Sequence, residues 1–181
     1  VNTVVHIQSD LGLSDNVVAL FFAASGVGSM IVAILVPRVL GKLPPRSVML
    51  AGAVVVVVSL CLAGVTSGFW AGLGIWFALG AGASLIQTPS GLLITRSCHE
   101  EDRPAVFAAQ FALSHSAWLL AYPLAGRLGA GFGLPTTFLV MALIASAGTI
   151  IACWLWPGGE PAEVEHVHSP KEHEHAFGDA L

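Results

Sequence analysis

The chain has 181 residues, 55% of them hydrophobic and only 10% charged, with a net charge of -4. A soluble domain carries about a quarter charged residues, so the composition excludes an ordinary soluble fold and points to a membrane protein. Six of the eleven acids, against one lysine, lie in residues 160–181, and the remainder is close to neutral, without the basic surface a nucleic-acid partner would need.

A bilayer core about 30 Å thick asks for about 20 apolar residues per helix at 1.5 Å each. Residues 1–8 read as the last two turns of a truncated transmembrane helix, with no cationic leader before an apolar run. Five complete spans follow, over residues 17–36, 47–65, 68–95, 104–128 and 134–156. The fold class predicted is therefore an all-α integral membrane bundle over residues 9–156, with a disordered acidic tail over residues 157–181. Glycines within the spans, such as Gly26 with Met30 and Gly68 and Gly72 with Trp76, read as places of close helix approach. Cys61, Cys98 and Cys153 lie far apart with no metal or redox spacing and read as free thiols.

The cations are placed asymmetrically. Arg38, Lys42 and Arg46 fall between the first two complete spans, Arg96 and Arg103 between the third and fourth, and only Arg127 at the opposite end. By the positive-inside rule these two connectors and the tail face the cytoplasm of a multi-pass protein in the inner (plasma) membrane.

Polar groups inside hydrocarbon are costly unless they meet a partner or a watery cavity, so their clustering carries information. In the third span Ser84, Gln87, Thr88, Gly91 and Thr95 fall within an arc of about 100° at 100° per residue. Pro89 withdraws the donor for the Leu85 carbonyl, which predicts a bend. In the fourth span Gln110, Ser114, His115, Trp118 and Tyr122 occupy an arc of about 140°. His115 sits near mid-span. It can serve as a neutral partner in an interhelical hydrogen bond or, because imidazole changes charge near neutral pH, as a substrate or proton site. No acid falls inside a complete span. These two faces are the candidate substrate pathway.

The connector "VPRVLGKLPPRSVML" carries three cations at a spacing of four and four. It resembles the loop between the second and third helix of each half of major facilitator superfamily transporters, patterned G-R-L-A-D-R-x-G-R-R. Arg38, Lys42 and Arg46 stand at cation positions, while Pro37, Gly41 and Pro44 replace the first glycine, the aspartate and the second glycine. The stretch "FALSHSAWLLAYPLAGRLGAGFGLP" is similar to the eleventh helix and exit loop of bacterial members. The resemblance implies helices seven to twelve of a twelve-helix bundle and a partner N-terminal half. It further implies a small-molecule or ion substrate held between the halves, and a secondary active exporter working by alternating access on an ion gradient. It implies no catalytic residues, no enzyme activity and no resident cofactor.

The tail, "EVEHVHSPKEHEH", places His166 with His168 and His173 with His175 at a spacing of two, among Glu165, Glu172 and Glu174. In an extended segment each pair points the same way and can offer two imidazoles to a divalent transition metal. Nickel or cobalt efflux, with the tail binding metal, is the alternative reading. An intramembrane enzyme built on Ser25 and His115 is a second alternative, from another class.

Overall fold

The computed structural model describes residues 2–156 except Leu11 and Leu13, and among these residues every regular element is helical. A short first helix α1 (Thr3–Val5) runs into a π-helical turn, His6–Asp10. Five long helices follow: α2 (Asp15–Leu40), α3 (Pro45–Val65), α4 (Phe69–Ser97), α5 (Arg103–Phe132) and α6 (Leu134–Leu155). The five spans read from the sequence match these helices, each extended or trimmed by a few residues at its ends. Prolines at the first turns of α3, α5 and α6 explain several of those starts, since their missing N–H has no partner to lose there. Gly133, at φ 79°, turns the chain directly from α5 into α6.

Four of the five long helices are apolar enough to cross a membrane; α5 has the length, 30 residues, but a more polar middle. Their apolar side chains point outward: Trp154 is 87% exposed and Leu113 73%. A water-soluble core would bury such groups, so these surfaces belong against lipid.

Helix α4 is the centre of the bundle, packing along α2 on one side and α3 on the other. α3 also packs on α6, whereas α5 touches α6 and, less, α4. The approach of α4 to its neighbours depends on missing side chains. A Cβ on Gly80 would strike the Ser25 backbone on α2, and one on Gly28 would strike the Phe77 backbone on α4. On the other flank, a Cβ on Gly52 would sit 2.6 Å from Leu85 Cβ and 2.8 Å from the Gly82 carbonyl. Of the glycines singled out in the sequence, Gly72 is a packing site, its Cβ position 2.6 Å from the Phe21 ring. Gly26 faces open space, and Gly68 serves instead as the N-cap of α4 at φ 121°.

The start of the chain is held by rings. His6 is buried and stacks on Trp76 of α4, with centroids 5.6 Å apart and planes 4° apart, while Phe138 of α6 meets it edge-on at 5.4 Å. Trp76 Nε1 donates to Thr3 Oγ1 at 3.3 Å, and Phe21 of α2 packs on the same indole at 5.3 Å.

Gly80→Ala is expected to destabilise the bundle, because the new methyl group must displace backbone, although alanine is intrinsically favoured over glycine in a helix by about 1 kcal/mol. Gly26→Ala should be neutral or stabilising. Thermal unfolding of the two variants in detergent, followed by tryptophan fluorescence, gives the comparison: a lower Tm for Gly80→Ala and an unchanged or higher Tm for Gly26→Ala.

Candidate substrate pathway

The polar arc of α4 lies across the edge of the bundle. Ser84 is buried and its hydroxyl lies 3.3 Å from Thr88 Oγ1; Thr88 is half-buried, whereas Gln87 is exposed. The helix continues unbroken through Pro89. Immediately after it, Ser90 Oγ donates to the Gln87 carbonyl at 2.6 Å and accepts from Gln110 Nε2 of α5 at 3.2 Å. Ser90 thus joins the two candidate faces. It falls about 60° outside the α4 arc at 100° per residue, so face-counting passed over it.

On α5 no residue is buried. Ser114 Oγ donates to the Gln110 and Phe111 carbonyls at 2.9 and 3.0 Å, and Ser116 Oγ to Ala112 at 2.8 Å, so both hydroxyls are satisfied by their own helix. His115 Nδ1 lies 2.8 Å from the Phe111 carbonyl. A carbonyl can only accept, so Nδ1 is the donor in this hydrogen bond. This bond of His115 runs within α5. Four rings follow one another along this face. Phe111 and His115 are 3.7 Å apart, His115 and Trp118 5.0 Å, and Trp118 and Tyr122 6.1 Å.

Besides the Gln110–Ser90 bond, α5 is tied toward both ends. Arg103 pairs with Glu100 at 3.1 Å and reaches the Thr95 carbonyl at 3.4 Å, and at the other end Asn2 Nδ2 donates to the Ala125 carbonyl at 3.0 Å. An apolar cavity of about 280 Å³ lies elsewhere, between α3, α4 and α6, lined by Met49, Leu50, Ile86, Thr149 and Trp156 among others. None of the candidate pathway residues lines it.

The basic connector has a structural role at one of its three cations. Arg46 Nε donates to the Trp156 carbonyl at 2.9 Å and its Nη2 to the Cys153 carbonyl at 3.0 Å. The guanidinium thereby caps the C-terminus of α6, where free carbonyls and the helix dipole favour a cation. Arg38 and Lys42 are exposed. The capping bond also fixes the basic connector on the same side of the bundle as the end of α6.

Among the described residues no group of three or more His, Cys, Asp or Glu side chains is placed to hold a metal. Cys61, Cys98 and Cys153 are free thiols. His166, His168, His173 and His175 lie outside the described residues. For the enzyme reading, Ser25 is packed against Gly80 at the α2–α4 contact, while His115 sits on α5, a helix that packs on α6 and α4.

A bundle of apolar helices with its apolar side chains turned outward and a polar, ring-lined helix at its edge defines an integral membrane protein of multi-pass type. The chain matches the family model of the Major Facilitator Superfamily over residues 1–179 and belongs to that superfamily, whose members are secondary transporters. No curated protein and no solved structure matches it significantly.

Removing the α6 cap is expected to cost about 1.5–3 kcal/mol, the range for hydrogen bonds made by a charged group. Arg46→Ala should lower the Tm of the detergent-solubilised protein, and Arg46→Lys, which keeps the charge but not the forked geometry, should fall between it and the parent.

Proposed function

We propose that this chain is part of a secondary active exporter of small organic solutes, driven by an ion gradient and working by alternating access against an N-terminal half. Its substrate wall is the open α4–α5 face: Ser84, Gln87 and Thr88 on one helix, and Gln110, Ser114, His115, Trp118 and Tyr122 on the other. The observation that carries the reading is α5 itself, the longest helix, with none of its residues buried and a continuous face of amide, hydroxyl and ring groups. Such a face is stable in a membrane only where it meets water, solute or another protein segment.

An organic solute is favoured because the α4–α5 face carries amide, hydroxyl and ring groups, which suit such a solute. Transport is favoured over hydrolysis because Ser25 is taken up in helix packing. Placement of the tail in the cytoplasm is supported by the capping of α6 by Arg46 on the cationic side.

In the complete transporter, reconstituted in vesicles, His115→Ala is expected to lower the transport rate, by up to about 10²-fold if the imidazole passes a proton. An unchanged rate would remove His115 from the pathway.

A further inference from the structure

The rings on α5 do more than make the helix face amphipathic. Phe111 stacks on His115 at 3.7 Å and His115 lies 5.0 Å from Trp118, so the indole has ring neighbours on its N-terminal side. Beyond Trp118 the spacing opens. Trp118 and Tyr122 face each other with planes only 27° apart and centroids 6.1 Å apart, each about half exposed, at 49% and 51%. A third ring held at van der Waals contact between two others needs about 7 Å, two contacts of about 3.5 Å. The two centroids stand about 1 Å closer than that, and side-chain rotation can separate the rings.

The chemistry around the gap is neutral. Residues 104–126 hold no charged side chain. Pro123 follows Tyr122 inside the helix and supplies no N–H to the Leu119 carbonyl. The face therefore offers two ring planes for stacking in neutral surroundings.

We propose that Trp118 and Tyr122 form a clamp for planar aromatic solutes, with Trp118 as the fixed jaw and Tyr122 as the moving one. The proposal rests on the assignment of this α5 face to the transport pathway and names the class of solute it selects. Aromatic faces prefer offset, near-parallel partners, and a saturated ring of the same carbon skeleton is puckered and presents no such plane.

The test uses the complete transporter with its native cysteines replaced and a single reporter, Ser114→Cys, one helical turn from Trp118. Labelling by a charged, membrane-impermeant methanethiosulfonate is measured alone, with 2-naphthol, and with decahydro-2-naphthol. The expected result is labelling from water, slowed about tenfold by 2-naphthol and little by the saturated alcohol, with the protection lost in Trp118→Leu and in Tyr122→Leu but kept in Trp118→Phe. Equal protection by both alcohols, no protection by 2-naphthol, or protection that survives both leucine variants overturns the clamp while leaving the pathway standing. A reporter that water-borne reagent never reaches overturns the pathway assignment, and the clamp with it.

Discussion

The bundle depends on the backbone contact that glycine permits along α4. In lipid, helices gain little from leaving their surroundings, because acyl chains are as apolar as leucine; what holds them is close dispersion contact over a long seam. Gly80 lets the Ser25 backbone of α2 lie against α4, and Gly28 lets α4 return the contact at Phe77. Gly52 and Gly82 do the same between α3 and α4. These seams place α3 where Arg46, in its first turn, meets the last carbonyls of α6. They also hold Trp76 where Phe21, His6 and Phe138 gather around it. The charged connector and the aromatic cluster are thus both consequences of where α4 sits.

Much of this was legible in the sequence because it depends on properties that run along the chain. Span lengths follow from apolar runs. Which side of a helix a neighbour occupies is a different kind of information. Gly26 and Gly28 are two residues apart, hence about 200° around the helix. One faces open space and the other a backbone, and no local spacing distinguishes them. His6 gave no signal for the same reason, since its ring partners come from α4 and α6. In the same way, the link of α5 to α4 runs from Gln110 through Ser90, which lies outside the arc counted on α4.

Helix α5 shows how a helix with many polar groups can stand apart from its neighbours. Ser114, His115 and Ser116 bond carbonyls of their own helix, which removes most of the cost of their polarity without recruiting a second helix. Gln110 cannot do this as economically, having both a donor and an acceptor on one amide, and it is the residue that reaches across to Ser90. One polar link in the middle and ties at both ends leave the rest of the helix with few interactions to break if it tilts.

That distribution of contacts bears on how a transporter of this superfamily moves. Alternating access needs some elements rigid enough to carry a load and others whose contacts can be exchanged at low cost. The α2–α4–α3 seam, with backbones in contact, is of the first kind, since close-packed interfaces shift between discrete arrangements rather than deform gradually. Helix α5 is of the second kind. Its sparse contacts with α4 and α6, and its proline one residue past Tyr122, set the ring-bearing face on the part of the bundle that can move with least disruption. A solute held between Trp118 and Tyr122 would therefore bear directly on the helix whose position is cheapest to change, and occupancy and movement would be coupled through the same two side chains.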